Sequence, residues 1–336
     1  MKIGGADTTQ KVALVAEIGN NHEGSIKLAE ELIETAFAAG ADAVKLQTFV
    51  PELYVSSIQV DRIKMLRRFA LPIEELQRLL ADYRSRGLTL FSTPFDLISL
   101  ERLSTAPLLK ISSGDLTYIQ LLEAAAWTKK DIIISTGAST LFEVEAAVAV
   151  ITGTWQQAGY PGTLAALHCV SGYPAPPEAV NLRAIGTLQE ALPDVVIGYS
   201  DHALGIEVAL IAAAAGARII EKHFTLDKDH SEFRDHQLSA DPREFSQLRE
   251  RLDGLDTLLG TGLKEPQGAE TEMRSAIRRS VTTTRDIPAG HQLEVGDLCI
   301  VRPGEGLVPA RLNDVIGRYL VVDTRAGHSI VEGDLT

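Results

Sequence analysis

Eight short apolar runs, each ending in polar residues and followed by a longer stretch with helical periodicity, recur between residues 12 and 262. They span residues 12–19, 43–49, 89–95, 108–114, 131–137, 164–170, 195–202 and 219–226. Runs that are apolar on both faces are typical of parallel strands buried between layers of helices. Parallel strands must be joined by long crossovers, so the repeat predicts strands and helices in alternation.

The segments between the runs have suitable helix boundaries. Ser25 can cap a helix over 26–39, which Gly40 ends, and Pro72 precedes a helix over 73–86. Residues 141–158, 206–215 and 242–259 behave similarly, whereas prolines within 174–177 delay the helix expected in 175–191. Eight such units in about 250 residues predict an α/β protein with a (β/α)8 TIM barrel. A doubly wound open sheet is disfavoured because no glycine-rich phosphate fingerprint follows the first strand.

The pattern changes after residue 262, where short β-like runs are separated by glycine and proline turns. Within this tail, DIPAGH (286–291) leads to GDL (296–298), and DTRAGH (323–328) leads to GDL (333–335) with identical spacing. This internal sequence repeat predicts a small pseudo-symmetric β module. We therefore expect a catalytic barrel over 1–265, a linker with a short helix over 266–279, and a small mostly-β cap over 280–336.

Composition excludes several classes of protein. The formal net charge is −13, which argues against nucleic-acid binding because that requires a basic face. The two cysteines, Cys169 and Cys299, lack metal-ligand spacing, and we expect Cys169 to face the helices as a core residue. With no apolar leader and no long apolar run, the sequence predicts a cytoplasmic protein that does not bind membranes.

Polar side chains occupy the ends of all eight runs, where a barrel of this type carries its active site. The residues that stand out are Glu17, Lys45, Gln47, Thr93, Lys110, Ser113, Asp115, Ser135, Tyr173, Ser200, His202, Glu221 and His223. Strand side chains alternate between faces, so Lys45 shares a face with Gln47 and Glu221 shares one with His223. Any single polar strand end is ordinary, but all eight together favour a binding site.

His202 and His223 end adjacent predicted strands, whose backbones lie about 4.8 Å apart. Two imidazoles at matching heights can share a divalent ion such as Mn²⁺ or Mg²⁺, with Glu221 or water completing its shell. The alternative is a pair of hydrogen-bonded core histidines.

Lys45 and Lys110 lie inside apolar runs, where an unpaired ammonium group is costly. With Thr93, Ser113, Ser135 and Ser200 they suit a phosphate and carboxylate cradle. The alternative is a pair of buried salt bridges to Glu17 or Glu221, and a Schiff-base aldolase that uses Lys110 is a further rival. Asp235, in the polar loop after the last strand, is expected to contact a sugar.

Several strings, in order along nearly the whole chain, resemble the N-acetylneuraminate (sialic acid) synthase family, which includes the legionaminate and pseudaminate synthases. They are EIGNNHEG (17–24), FSTPF (91–95), KISSGD (110–115), STG (135–137), HC (168–169), YP (173–174), SDH (200–202) and EKHFT (221–225). The tail, with RPG at 302–304, resembles the antifreeze-like (SAF, β-clip) domain of the same family.

The resemblance implies that phosphoenolpyruvate condenses with N-acetylmannosamine, or with a related N-acylated amino-hexose, and water. The product would be a nine-carbon 2-keto sugar acid, with phosphate released by C–O cleavage. It further implies a divalent metal at His202 and His223 that orients and polarises the sugar aldehyde.

The resemblance also implies residue roles. Phosphoenolpyruvate would be held by Lys45, Thr93, Lys110, Ser113, Ser135 and Ser200; the sugar would meet Glu17, Gln47, Asp115, Tyr173 and Asp235; and the catalytic candidates are Glu17, Lys45, Lys110, Asp115 and Glu221. The implied assembly is a domain-swapped homodimer, in which Arg302 of one cap reaches the N-acyl group of the sugar in the other chain.

Three features near the expected sugar site depart from the sialic acid members. Asp115 stands where they often have Glu, Ser171 stands where they often have Asn, and the segment 51–68 is short. These departures leave legionaminate or pseudaminate synthesis, with a diacetamido-trideoxyhexose, as the alternative. A synthase that uses an aldose phosphate is disfavoured because no further basic pair is evident, and a non-catalytic carbohydrate-binding protein is disfavoured by the full set of strand-end groups.

Overall fold

A short antiparallel hairpin precedes eight parallel strands that close into a barrel in the computed structural model, which describes all 336 residues. The hairpin comprises β1 (Lys2–Ile3) and β2 (Ala6–Asp7). The barrel strands are β3 (Ala13–Gly19), β4 (Ala43–Thr48), β5 (Thr89–Pro94), β6 (Leu108–Ile111), β7 (Asp131–Ser135), β8 (Leu164–Cys169), β9 (Val196–Asp201) and β10 (Ile219–His223). Each strand pairs with the next along the chain, and β10 pairs with β3, which confirms the predicted TIM barrel.

Helices fill the connections between the strands. They are α1 (Ile26–Ala38), α2 (Pro51–Tyr54), α3 (Val60–Phe69), α4 (Ile73–Ser85), α5 (Leu97–Arg102), α6 (Ile119–Trp127), α7 (Leu141–Ala158), α8 (Ala184–Ala191), α9 (Glu207–Ala214), α10 (Arg234–Leu238) and α11 (Pro242–Leu259). The side chain of Ser25 accepts a hydrogen bond from the Leu28 N–H, as its predicted capping role requires. Reciprocal capping boxes begin α7 at Thr140 and α11 at Asp241.

Two apolar layers result from the alternation of side chains along the strands. Leu14, Leu46 and Ile134 belong to the larger layer between strands and helices, whereas Val15 and Ile133 point into the barrel. The inner layer contains the first residues of several strands and also Ile3 of the hairpin, so it closes the amino-terminal end of the barrel. The strand-end polar groups are left to line the opposite end.

The segment after β4, for which no helix was predicted, contains α2 and α3. Ile63, Leu66 and Phe69 form the buried face of α3, at the spacing of an amphipathic helix. They join Phe49 and Phe95 in a separate apolar cluster. This cluster supports one wall of the cavity described below.

The chain divides into two compact units, Met1–Gly260 and Thr261–Thr336. The second unit contains α12 (Thr271–Ile277), where the connector helix is predicted, the antiparallel strands β11 (Ser280–Thr283) and β12 (Leu298–Val301), and α13 (Leu312–Val315). The boundaries of linker and cap at 265/266 and 279/280 stay predictions.

The two copies of the sequence repeat in the second unit make reciprocal hydrogen bonds with each other. The Ile287 N–H donates to the Thr324 carbonyl oxygen at 2.9 Å, and the Thr324 N–H donates to the Ile287 carbonyl oxygen at 2.8 Å. The Ala289 N–H likewise donates to Asp323 Oδ1, as does the Ala326 N–H to Asp286 Oδ1, each at 2.8 Å. The two copies therefore pair about an approximate two-fold axis.

None of the helices combines the length and the apolar character needed to cross a membrane.

Candidate active site

A cavity of about 1460 Å³ opens at the carboxyl ends of the barrel strands. Every residue predicted for the site lines it, with the exception of Arg302. Arg302 lies in the second unit, where its side chain is exposed. All eight strand ends therefore contribute side chains to one cavity, as the sequence predicts.

Glu17 and Lys45 form a buried ion pair on the cavity floor. Lys45 Nζ lies 2.6 Å from Glu17 Oε2 and donates to Thr93 Oγ1 at 3.2 Å. Gln47 Nε2 donates to the other oxygen of Glu17 at 2.8 Å. The predicted sharing of a face by Lys45 and Gln47 is thus confirmed.

Glu221 forms the second ion pair and joins it to the first. Its Oε1 lies 3.6 Å from Lys110 Nζ and accepts a hydrogen bond from Ser200 at 2.9 Å, while its Oε2 lies 3.8 Å from Lys45 Nζ. Lys110 Nζ also donates to Ser135 Oγ at 2.6 Å. Two carboxylates and two ammonium groups therefore alternate across the floor, which combines the predicted salt bridges with the predicted hydroxyl ring.

The two carboxylates differ in protonation because their surroundings differ. Burial raises the pKa of Glu17 to about 7, despite the nearby Lys45. Burial also acts on Glu221, but Lys110 and Lys45 together outweigh it and hold the pKa of Glu221 below its ordinary value. Burial lowers the pKa of Lys110, whereas in Lys45 the charges of Glu17 and Glu221 overcome burial and raise the pKa. The quartet can therefore take up a proton at Glu17 near neutral pH.

His202 and His223 lie side by side at the cavity wall, with ring centroids 5.4 Å apart. His202 Nδ1 lies 2.8 Å from the Val170 carbonyl oxygen, which can only accept, so the proton is on Nδ1 and the lone pair on Nε2. His223 Nδ1 is buried without a partner. Burial lowers the pKa of both rings, which keeps them in the neutral form that binds metals. These two residues fit the predicted metal site.

Cys169 is a correction to the sequence-based expectation. Its side chain lines the cavity instead of facing the helices, and Sγ lies 3.7 Å from His202 Nδ1. The neighbouring His168 points the other way and bonds the Val180 carbonyl oxygen at 2.8 Å. The expectation was wrong because both residues end an apolar run, and composition alone did not fix which of them points inward.

The upper wall of the cavity carries the residues predicted for the sugar. Asp115 Oδ2 accepts from Ser112 Oγ at 2.6 Å, and burial raises the pKa of Asp115. Burial likewise raises the pKa of Asp235, at the start of α10. The Tyr173 ring packs in a tilted orientation against the His202 ring, with centroids 4.2 Å apart. The wall thus offers carboxyl and aromatic groups beside the histidine pair.

Asn20 and Arg234 are among the cavity residues that sequence reasoning did not select. Asn20 Nδ2 donates to Gln47 Oε1 at 2.9 Å, which orients the Gln47 amide toward Glu17. Its position directly after the first strand was a usable signal. The Arg234 guanidinium lies 4.8 Å from the Tyr173 ring centroid. No comparable signal in the sequence marked Arg234 as a cavity residue.

Comparisons with known proteins agree across both units. A sequence model of the NeuB family matches residues 32–264, and one of the SAF domain matches residues 278–336. The chain is 37% identical over 337 residues to the N,N'-diacetyllegionaminic acid synthase of Legionella pneumophila, covering 95% of this chain and 93% of that one. It is 31% identical over 350 residues to a pseudaminic acid synthase of Campylobacter jejuni, with 99% of each chain covered.

A solved structure is also similar. The crystal structure of N-acetylneuraminic acid (sialic acid) synthetase from Leptospira borgpetersenii, in complex with citrate, shares 35% sequence identity. The match covers 78% of this chain and 90% of that chain, with a TM-score of 0.72.

Proposed function

This chain belongs to the NeuB family, and on that premise we propose that it condenses phosphoenolpyruvate with an N-acylated amino-hexose and water. The products are a nine-carbon 2-keto sugar acid and phosphate. The observation that carries the proposal is the buried quartet of Glu17, Lys45, Lys110 and Glu221 beside the neutral pair His202 and His223. This arrangement suits a small acid that carries phosphate and carboxylate groups, bound next to an aldehyde.

Phosphoenolpyruvate is proposed to bind on the floor. Lys45 and Lys110 are held apart by Glu221, and each also contacts a hydroxyl group, Thr93 or Ser135. Ser200 and Ser113 add further hydroxyls in the same cavity. Ammonium groups and hydroxyls in a desolvated cavity bind phosphate and carboxylate oxygens strongly because the hydrogen bonds are charge-assisted.

The sugar is proposed to bind above, against Gln47, Asp115, Tyr173 and Asp235, with its aldehyde toward Glu17. His202 and His223 would hold a divalent ion, Mn²⁺ or Mg²⁺. When bound, such an ion polarises a carbonyl oxygen and fixes its orientation. The carboxyl groups of Asp115 and Asp235 can each bind sugar hydroxyls.

The proposed reaction balances without a redox partner. C3 of phosphoenolpyruvate forms a bond to the aldehyde carbon, and the new alkoxide takes a proton, for which protonated Glu17 is the proposed donor. Water then adds to C2 and returns a proton to Glu17. The C2 hydroxyl gives its remaining proton to the departing phosphate as the C2–O bond to phosphate breaks, which leaves the ketone. Glu221 keeps both ammonium groups in position, so that they stabilise the phosphate as it departs.

A diacetamido-trideoxyhexose is the second candidate acceptor beside N-acetylmannosamine. It is favoured by the 37% identity with a protein named N,N'-diacetyllegionaminic acid synthase, and by Asp115 and Ser171 in the cavity. The proposal extends to a domain-swapped homodimer in the cytoplasm, in which Arg302 contacts the N-acyl group of the sugar bound to the partner chain.

The test is phosphate release from phosphoenolpyruvate with a panel of amino sugars, with and without Mn²⁺. We expect release to require both the ion and an N-acylated sugar. No release with any sugar would leave a carbohydrate-binding protein as the better description. A lysine adduct trapped by borohydride would instead identify a Schiff-base aldolase at Lys110.

A further inference from the structure

Glu23, His230 and His236 form a cluster that the proposed reaction does not use. Glu23 follows β3, while His230 and His236 belong to the segment after β10, so the cluster joins two loops of the barrel. One potential ligand atom from each residue lies within 4.8 Å of those of the other two. His202 and His223 are not members of this group.

The hydrogen bonds of His236 determine its tautomer. Thr225 Oγ1 lies 2.7 Å from His236 Nδ1 and 3.0 Å from the Asp227 carbonyl oxygen. A hydroxyl has one proton, and a carbonyl oxygen cannot donate, so Thr225 donates to Asp227 and accepts from His236 Nδ1–H. The lone pair of His236 is therefore on Nε2.

His236 Nε2 and Glu23 face one another without a donor between them. Nε2 is buried with no hydrogen-bond partner, the residue is 1% exposed, and Glu23 Oε1 lies 3.6 Å away. Two acceptors that face each other repel unless a hydrogen-bond donor, such as water, or a cation lies between them.

We propose that Glu23, His230 and His236 bind a transition-metal ion of the Zn²⁺ type, separate from the ion at His202 and His223. Two imidazoles, one carboxylate and a water molecule form a common tetrahedral ligand set for zinc. Ligands about 2.1 Å from a tetrahedral ion lie about 3.4 Å from each other. The 3.6 Å between His236 Nε2 and Glu23 Oε1 is close to that value, and the exposed His230 ring can turn to complete the set.

The neighbours of Glu23 are compatible with ligation. Ser231 Oγ donates to Glu23 Oε1 and occupies one of its acceptor positions. Arg68 Nη2 lies 3.6 Å from the other carboxylate oxygen, and its side chain is largely exposed, so the pair is easily exchanged for a metal bond. Glu23 can thus accept these contacts and still offer a lone pair.

The ion would fix the loop that carries two cavity residues. Arg234 and Asp235 lie between His230 and His236 in the sequence, and both line the cavity. An ion bound by Glu23 and the two histidines would hold Arg234 and Asp235 within a short cross-linked loop. We therefore assign it a structural role, in holding the loop over the cavity mouth.

Metal binding in the absence of the proposed catalytic site gives the sharpest test. In the full chain carrying His202→Ala and His223→Ala, we expect one Zn²⁺ per chain by calorimetry, and Co²⁺ with the visible absorption of a tetrahedral ion. Adding His230→Gln should weaken Zn²⁺ binding at least 100-fold. Adding His328→Gln, a histidine of the second unit, should leave it unchanged and serves as the matched control.

Proteolysis gives a readout that does not depend on stoichiometry. Zn²⁺ should slow tryptic cleavage after Lys228 and Arg234 in the chain with His230 and should not slow it in the His230→Gln chain. Absence of Zn²⁺ binding in the His202→Ala, His223→Ala chain would overturn the proposal, as would binding that His230→Gln leaves unaltered. Neither measurement uses turnover, so failure here is distinguishable from failure of the proposed synthase activity.

Discussion

Glu17 and Glu221 lie on one cavity floor, yet their environments push their pKa values in opposite directions. Glu221 faces two ammonium groups and a hydroxyl donor, which together stabilise its carboxylate. Glu17 has one close ammonium, and the negative charge of Glu221 adds to its burial, so its pKa rises to about 7. Such divergence separates an acid from a permanent anion at neutral pH.

We predict that phosphoenolpyruvate binding takes up a proton at Glu17. An anion placed beside Glu17 raises its pKa above about 7, so uptake should be clear near pH 8 and should vanish near pH 6, where the group is already protonated. Calorimetry in buffers of different ionisation enthalpy measures the uptake. The Glu17→Gln variant should bind without it, and proton release on binding by the native chain would contradict the assignment.

His223→Ala should reduce metal-dependent phosphate release at least 100-fold, because one of the two ring ligands is lost. His168→Gln is the matched control, since His168 also ends a strand but bonds the Val180 carbonyl oxygen away from the cavity. This control should lower the melting temperature and leave the response to added Mn²⁺ unchanged. Equal loss of the Mn²⁺ response in both variants would show that the effect is one of folding.

At the scale of residues, the alternation of side chains along a strand identified cavity residues correctly wherever two polar residues of one strand share a face. Lys45 with Gln47 and Glu221 with His223 were placed correctly for that reason. The rule failed at Cys169, because nothing in the sequence shows which face of an apolar strand end is inward. It also left Arg234 unselected, because its contact with Tyr173 is made between segments that are far apart in the chain.

At the scale of elements, the parallel strands were predictable because they are buried on both faces and therefore continuously apolar. The long helices were predictable from their caps, such as Ser25 and Thr140. The β1–β2 hairpin was not, since each of its strands has two residues and only Ile3 and Ala6 are buried. Helix α3 was missed because its apolar face is narrow and its remaining surface is charged.

The repeated module of the second unit supports a prediction about matched positions. Asp297 Oδ2 accepts from His291 Nε2 at 2.7 Å and from the Glu294 N–H at 3.0 Å, while Asp334 Oδ2 accepts from His328 Nε2 at 2.8 Å and from the Val331 N–H at 2.9 Å. Only Asp297 also accepts from Arg285, at 2.6 and 2.9 Å. Asp297→Asn should therefore destabilise the unit by about 1–3 kcal/mol, and Asp334→Asn by less.

Hydrogen exchange of peptides from residues 280–336 in the full chain measures this difference, with Asp334→Asn as the internal comparison. The Glu294 N–H, with His291 and Arg285, lowers the pKa of Asp297 to about 2. Its contribution is then present above about pH 4 and is lost as pH falls through about 2. Equal exchange rates in the two variants at neutral pH would mean that Arg285 contributes nothing.

For the whole molecule, the net charge of −13 and an anionic substrate conflict unless positive charge is concentrated locally. Lys45 and Lys110, both buried, supply it at the cavity floor. Their partner carboxylates offset much of this positive charge until phosphoenolpyruvate arrives. Selectivity for the substrate thus depends on local pairing, and surface charge changes should affect turnover little.

The proposed swapped homodimer makes a prediction that distinguishes it from an assembly in which each cap covers its own barrel. Arg302→Ala should raise the KM for the sugar at least tenfold and leave the KM for phosphoenolpyruvate unchanged, because Arg302 contacts only the N-acyl group. In a dimer of one Arg302→Ala chain and one His223→Ala chain, the intact barrel of the first would receive the intact cap of the second. One complete site is then restored, whereas caps that cover their own barrels would restore none.

Co-expression of the two chains in equal amounts therefore distinguishes the assemblies. Half of the dimers would be mixed, and in each mixed dimer one of the two sites would be complete. At low sugar concentration we therefore expect about a quarter of the native rate. Each variant expressed alone provides the baseline. A rate no higher than the mean of the two baselines, with mixed dimers verified by affinity tags, would place the cap over its own barrel.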